Sequence, residues 1–153
     1  MALNQNWHYL VTGNASDLAK IPHYIPTGLD IAYPRHDFVL TATIASAAAV
    51  SDEIDLGGAT MLSLVWPSAW TAADLTFLVS DVSGGTFTAL YDDGGTEVKI
   101  ASASLPTAEA RTITNASILT KVGQARFIKL RSGVAATPVN QGAERSIKII
   151  CKG

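Results

Sequence analysis

The stretch of this sequence whose residue types could most readily do chemistry is ALYDDGGTEVKI, residues 89–100. Its adjacent carboxylates, Asp92 and Asp93, could in principle coordinate a cation such as Ca²⁺. A calcium loop, however, spaces its oxygen ligands regularly, as in D-x-D-x-D-G with a distal Glu. Gly and Asp are also the residues that a tight hairpin turn requires. The sequence therefore predicts a metal-free hairpin turn that joins strands TFTALY (86–91) and TEVKI (96–100).

The other groups that could react are not spaced for a site. The three histidines lie 15 and 13 residues apart, which is not a metal-ligand spacing: His8, His23 and His36. The one cysteine, Cys151, shares a strand face with Ile147 and Ile149, so we expect a small buried or half-buried apolar residue and no internal disulfide. The carboxylates Asp52, Glu53 and Asp55 are near neighbours in sequence, whereas glycoside hydrolysis needs a pair held across a cleft. We expect no enzymatic activity, no metal and no cofactor.

Two basic strands near the C-terminus raise the question of nucleic-acid binding. RFIKLR (126–131) and RSIKIICK (145–152) alternate basic and apolar residues, but they contain one aromatic residue, Phe127, and the chain has a net charge of −2. We therefore expect no nucleic-acid partner. The preferred interpretation is a solvated outer sheet face that carries Lys129, Arg131, Lys148 and Lys152.

The elements that would position these residues are strands. With 153 residues, the chain suits one domain. Turn signals recur about every ten residues from residue 38 onward, and no segment shows helical periodicity, which is typical of a β-sandwich or jelly roll. We predict an all-β sandwich of eight or nine strands over 38–153, with Leu62, Leu64 and Trp66 on one face of the strand MLSLVW. The segment SILTKVGQA is predicted to contain a turn of helix.

The first 37 residues differ from the rest and predict an extended arm. Proline at 22, 26 and 34 prevents regular structure, yet the segment is too apolar for a disordered tail. The arm could pack on its own domain or on a neighbouring subunit. We expect contacts between subunits of a homo-oligomer, with a trimer favoured. The interface candidates are the large apolar residues of the arm: Trp7, Tyr9, Ile21, Tyr24, Ile25 and Tyr33.

Charge is low and unevenly distributed. Charged residues make up 16% of the chain, against the usual quarter, which suits a surface partly covered by neighbours. Residues 1–98 contain eleven acids and two bases, whereas residues 99–153 contain two acids and nine bases. Either the two halves interleave in the fold, or oppositely charged faces dock between copies. No signal peptide and no transmembrane helix is expected.

Residues 55–91, FIKLRSG (127–133) and PVNQGAERSIKI (138–149) together resemble a family of small virion proteins of tailed bacteriophages. The shared pattern is an apolar strand ending in Pro, a loop with Trp, LTF-VS before a Gly turn, F--LYDD-G-E, and a late IKLRSG followed by PVNQ. The layout is also similar, more remotely, to discoidin-type jelly rolls. The resemblance implies a structural, non-enzymatic component of the virion, such as a capsid decoration or head or tail accessory protein. It implies the major capsid protein or other virion proteins as partners, and a location in the virion for a protein made in the bacterial host cytoplasm.

A second hypothesis is a carbohydrate-binding or receptor-binding module of a fibre. Aromatic faces are the usual contacts for sugars, and Trp66, Trp70 and Tyr91 could form a stacking platform. The alternative for the two tryptophans is packing in the core and against the sheet, which we prefer.

Overall fold

The computed structural model describes residues 37–153, which form nine strands and one α-helix. The elements are β1 (Asp37–Ile44), β2 (Ile54–Asp55), β3 (Thr60–Trp66), β4 (Leu75–Ser80), β5 (Thr88–Ala89), β6 (Lys99–Ile100), β7 (Arg111–Ile113), α1 (Ala116–Val122), β8 (Phe127–Ser132) and β9 (Arg145–Lys152). The predicted arm, its six interface candidates and the three histidines lie outside the described residues. None of the helices within 37–153 is long and apolar enough to cross a lipid bilayer.

The strands form two antiparallel sheets around one core. Sheet 1 has the order β1-β9-β3-β7, and sheet 2 has the order β2-β8-β4, with both β5 and β6 pairing to β4. The fully buried side chains come from both sheets and include Trp66, Leu64, Phe77, Leu130 and Ile149. The prediction of an all-β sandwich of eight or nine strands is confirmed.

The alternation of β9 shows why these sequences become strands. Ile147, Ile149 and Cys151 are fully buried, whereas Lys148 between them is exposed. Period-two alternation directs one set of side chains to the core, where each large apolar group contributes roughly 1.5–3 kcal/mol. β9 therefore lies at the centre of sheet 1, paired with β1 on one side and β3 on the other.

The faces predicted for β3 are wrong at its start because the strand contains a β-bulge. Met61 pairs with Cys151, but the next pair in register is Ser63 with Ile150. The extra residue, Leu62, turns outward and is 39% exposed, while Met61 is buried. From Leu64 onward the predicted inward face, with Trp66, is correct. A bulge shifts the alternation by one residue, and a pattern of apolar residues on both sides does not reveal it.

The segments 86–91 and 96–100 are not the two matched strands that were predicted. Only Thr88–Ala89 and Lys99–Ile100 pair with β4, and they lie one after the other along the same edge of β4. Residues 91–97 between them project as a short hairpin, closed by a Tyr91–Glu97 bridge. The predicted DDGG turn is confirmed, but it interrupts one strand instead of joining two.

The α-helix of the described residues, α1, is longer than the predicted turn of helix. Asn115 caps it by accepting a hydrogen bond from the Ile118 N–H, at 3.3 Å. Leu119 and Val122 are buried, and the helix contacts β3. It therefore closes the core beside sheet 1.

Candidate functional site

The most concentrated group of buried polar side chains lies on the outer face of sheet 2, around Arg131. The Arg131 Nε donates to Thr76 Oγ1 at 3.0 Å, and its Nη2 pairs with Glu97. Thr76 Oγ1 in turn donates to the Gly133 carbonyl at 2.7 Å. Arg131 is only 7% exposed and Thr76 is fully buried. We call Arg131, Thr76 and Glu97 the Arg131 cluster.

The prediction that Arg131 belongs to a solvated outer face is wrong for this residue. Strand alternation was correct, since Arg131 does point away from the core beside Thr76, its partner in register. Glu97, however, comes from the projecting hairpin and folds over this face. Its carboxylate also accepts from the Ala135 N–H at 3.1 Å, which holds the loop after β8 over the same face. The cluster thus fastens a hairpin and a loop to sheet 2.

A second buried group centres on Gln141, in the loop that precedes β9. Its Oε1 accepts from the Thr71 N–H at 2.8 Å, and its Nε2 donates to Ser132 Oγ at 2.7 Å. Its main chain pairs with the loop after β1, accepting from the Ala47 N–H and donating to the Ala48 carbonyl, both at 2.8 Å. Gln141 is fully buried and joins three separate segments of the chain.

Gly133 connects these two groups and has no room for a side chain. Its φ is +89°, a conformation that favours glycine, and a Cβ there would meet the Thr137 carbonyl and lie 2.8 Å from the Val139 N. Gly133 also forms an isolated bridge with Pro138. The chain can therefore double back directly after β8 only with glycine at this position.

The Arg131 cluster and Gln141 have a structural role. Each polar side chain of the Arg131 cluster, and Gln141, bonds to atoms of the same chain, so their hydrogen-bonding capacity holds loops in place. Sequence reasoning missed the roles of Thr76, Glu97 and Gln141. The available signals were a threonine within the apolar strand LTFLVS and a glutamine in a loop flanked by apolar segments.

In the DDGG turn, the Asp92 carboxylate accepts hydrogen bonds from backbone N–H groups of the same turn. Asp92 Oδ1 accepts from the Gly94 N–H at 3.1 Å and from the Thr96 N–H at 2.9 Å, and Gly95 has a φ of +74°. Asp92 Oδ2 also lies 3.7 Å from Lys121 Nζ. Across residues 37–153, no group of three or more His, Cys, Asp or Glu side chains is placed to hold a metal ion.

The aromatic platform considered for sugar binding does not form. Trp66 and Trp70 are 1% and 4% exposed and pack edge to face, with ring centroids 4.4 Å apart. Tyr91 is 52% exposed, at the base of the projecting hairpin. The preferred interpretation of the two tryptophans, packing rather than ligand contact, agrees with this geometry.

The uneven charge along the sequence is balanced within the fold. Of the five ion pairs between side chains of residues 37–153, four join an acid from before residue 99 to a base from residue 99 onward. They are Asp74 with Lys99, Asp92 with Lys121, Asp55 with Arg126 and Glu97 with Arg131. The acidic and basic parts of the sequence therefore interleave in the fold, which was the first of the two interpretations of the charge pattern.

Several of these exposed or half-buried carboxylates are held in the ionised form. The Lys99 ammonium and then the Ser102 N–H hold the pKa of Asp74 below its usual value, and Asp74 raises the pKa of Lys99. Arg126, followed by the Gly57 N–H, lowers the pKa of Asp55. The pKa of Glu53 is lowered by hydrogen bonds, of which the one from the Ser83 hydroxyl is the largest influence.

Cys151 and the lysines of the basic strands occupy different environments: the cysteine lies in the core, and the lysines lie on the outer faces of the sheets. Cys151 is fully buried, as predicted, and desolvation raises the pKa of its thiol, which disfavours the nucleophilic thiolate. The Lys129 ammonium lies 4.4 Å from the centroid of the Phe87 ring, a contact within the fold. Lys148 is exposed on the outer face of sheet 1.

The described part of the chain is thus an antiparallel β-sandwich whose buried polar groups fasten its loops. No protein-family model matches the chain, and no curated protein matches it. Among solved structures, the crystal structure of the SPBc2 prophage-derived protein YomS is similar, with 17% sequence identity and a TM-score of 0.41. That similarity covers 77% of this chain and 96% of YomS, and at this score it carries no argument about function.

Proposed function

We propose that this protein is a non-enzymatic structural component of a bacteriophage particle, of the capsid decoration or head or tail accessory type. The proposal begins from the sequence resemblance to small virion proteins of tailed phages. One structural observation carries it further. The residues that stand out chemically in the late motif, IKLRSG followed by PVNQ, are all used to hold loops on the sandwich: Arg131, Gly133 and Gln141.

This use of the motif is what a structural protein requires. A catalytic motif places polar groups where a substrate can reach them. Here Arg131 and Gln141 are 7% and 0% exposed, and their partners are other parts of the same chain. The motif residues that make the sequence resemble virion proteins therefore stabilise the fold itself. This supports a structural role in the particle.

The partners we propose are the major capsid protein or another virion protein, together with further copies of this chain. The aromatic arm over residues 1–37 is the proposed contact between copies, with a trimer favoured. Its large apolar side chains would each gain roughly 1.5–3 kcal/mol on burial against a neighbour. A chain reduced to residues 38–153 should then form an oligomer of fewer subunits than the full chain. If it folds and keeps the same number of subunits and the same binding to the shell, this part of the proposal is wrong.

The alternative, a carbohydrate-binding or receptor-binding module, loses its main support because Trp66 and Trp70 are buried. Only Tyr91 of the three candidate rings is exposed, and one ring does not make a platform. A glycan array should show no saturable binding by the full chain. Binding that disappears in Tyr91→Ala would restore this alternative.

The direct experiment is to measure the composition of purified particles. Particles produced from the genome that encodes this chain are separated on a density gradient, washed in high salt and quantified by mass spectrometry. We expect the chain to remain in a fixed ratio to the capsid subunit. Its absence from intact particles, with the protein present in the lysate, would overturn the proposal.

A further inference from the structure

The four sheet edges of the sandwich are not protected equally. Exposed strand edges invite pairing with other chains, and natural proteins prevent this with short strands, interruptions, proline or charge. The far edge of sheet 1 is the three-residue β7, and one edge of sheet 2 is the two-residue β2. The other edge of sheet 2 is interrupted by the projecting hairpin. By contrast, β1 has eight residues in unbroken register with β9.

Half of the outer edge of β1 is covered, and the other half has no partner within residues 37–153. At the covered half, the Thr43 carbonyl accepts from the Asp52 N–H at 3.0 Å, and the Thr43 N–H donates to Asp52 Oδ1. Alternation along a strand then directs the backbone groups of Asp37, Val39 and Thr41 to the same edge. The strand described beside these three residues is β9, on the opposite side.

The uncovered half of β1 is also apolar and accessible. Val39 is 56% exposed on the outer face of sheet 1, and Phe38 is 37% exposed on the inner side. No proline and no inward charge interrupts Phe38, Val39 and Leu40. Within residues 37–153, no proline, bulge, inward charge or covering segment therefore protects Phe38, Val39 and Leu40 from strand addition.

We propose that β1 pairs antiparallel with β1 of a second copy, about a twofold axis that passes between the two Val39 residues. Val39 would then exchange both backbone hydrogen bonds with Val39 of the second copy. Asp37 would do the same with Thr41 of that copy, giving about six backbone bonds in all. The two copies of sheet 1 would become one continuous sheet.

The side chains on the outer face match this register. The central row across the seam reads Ile150, Val39, then Val39 and Ile150 of the second copy, which is apolar throughout. In the flanking rows, Asp37 lies beside its own Lys152 and opposite Thr41 of the second copy, whose neighbour is that copy's Lys148. Each Asp37 is thus adjacent to its own Lys152, with Lys148 of the second copy one strand further away, and no like charges face each other.

The occupant we infer is a second copy because the edge complements itself. An isologous contact needs a surface that pairs with itself under a twofold rotation, and a short apolar strand with polar ends satisfies this. The pairing surface lies on β1, so this inference does not rest on the proposed function or on the arm. Occupation of the edge by residues 1–36 of the same chain, or by a strand of another protein, would instead leave no β1–β1 pair for the experiments below to detect.

The first experiment compares two substitutions of exposed valines in the full chain. Val39→Lys places like charges opposite each other at the seam, whereas Val82→Lys alters a valine that is 58% exposed in the turn after β4. Sedimentation equilibrium should show at least a tenfold rise in the dissociation constant of the pair for Val39→Lys and no change for Val82→Lys. A wild-type chain without such an association at about 100 μM, or equal association by both variants, would overturn the proposal.

The second experiment tests the register by cross-linking and remains informative if Val39→Lys fails to fold. A residue opposite itself in a hydrogen-bonded pair has a Cα separation of about 5.5 Å, within the range of a disulfide. Under mild oxidation, Val39→Cys should form a covalent dimer. Thr41→Cys alone should not, while Asp37→Cys combined with Thr41→Cys should. No dimer from Val39→Cys, or as much dimer from Thr41→Cys as from Val39→Cys, would overturn the proposed pairing of β1 with β1 of a second copy.

Discussion

Gln141 shows how much of this fold depends on single buried polar residues. Its side chain satisfies the Thr71 N–H and contacts the Ser132 hydroxyl, and its main chain pairs with the loop after β1. A buried donor that loses its acceptor costs about 1–3 kcal/mol, which is more than the bond itself contributes. Removing a residue of this kind lowers stability mainly because buried donors and acceptors lose their hydrogen-bond partner.

We predict that Gln141→Ala lowers the free energy of unfolding by about 2–4 kcal/mol, since it leaves buried polar groups unpaired and a cavity behind. Urea denaturation of the variant and the wild type would measure the difference. The matched control is Gln124→Ala, at an exposed glutamine, which should change stability by less than about 0.5 kcal/mol. Equal effects of the two substitutions would contradict the role assigned to Gln141.

Gly133→Ala should destabilise the protein by about 2 kcal/mol or more. The added methyl group would meet the Thr137 carbonyl, and the φ of +89° is unfavourable for alanine. Gly142→Ala is the control, because a Cβ at Gly142 meets nothing within 4 Å. Thermal unfolding should rank the variants in this order, and a stable Gly133→Ala protein would mean that the loop can rearrange at little cost.

The Asp74–Lys99 pair predicts a pH dependence with a definite sign. The pKa of Asp74 is lower in the folded state than in the unfolded state. Asp74 therefore stabilises the fold at a pH above its unfolded-state pKa, and this stabilisation is lost as the pH falls through its folded-state pKa. The raised pKa of Lys99 means that its contribution is lost only as the pH rises above its ordinary value of 10.5.

Asp74→Asn should therefore reduce stability by about 0.2–1 kcal/mol near pH 7, as expected for a partly exposed pair. Near pH 2.5 the difference from wild type should shrink. The midpoints of urea denaturation of both proteins at the two pH values measure this difference in stability. Asp81→Asn serves as the control, since Asp81 is exposed and makes no hydrogen bond within residues 37–153. A difference for Asp74→Asn that is unchanged or larger at low pH would refute the assigned sign.

Among the elements, the strands that sequence reasoning located well are the long ones, of six to eight residues. FVLTATI, LTFLVS and RSIKIICK became β1, β4 and β9 with bounds within one residue. β3 was located correctly but its faces were not, because both alternating sets at its start contain a large apolar residue, Met61 and Leu62. The environment of Arg131 could not be predicted, because its partner Glu97 lies 34 residues away in sequence, on a hairpin whose direction local patterns do not specify.

The DDGG turn gives a prediction at the scale of the element. Because Asp92 Oδ1 accepts two backbone N–H groups of its own turn, a cation would have to displace those bonds. Calorimetric titration of the full chain with millimolar calcium should show no saturable heat. A dissociation constant below about 0.1 mM would mean that the turn coordinates an ion after all.

At the scale of the whole molecule, the sequence left open whether its acidic and basic halves would separate or mix. Ion pairs such as Asp55 with Arg126 show that they mix, because the strand order places late strands between early ones. β9, the last strand, lies between β1 and β3. The order of strands in a sandwich is set by tertiary pairing, so no local property of the sequence could have predicted this charge balance.

The central claim, a structural role in a bacteriophage particle, is tested most directly by an electron cryo-microscopy map of the particle made from the encoding genome. If the protein has this role, the map should contain density for the two stacked sheets of residues 37–153 in many symmetry-related copies, in contact with the capsid or another virion protein. A well-resolved map of intact particles in which no density fits this sandwich would contradict the claim.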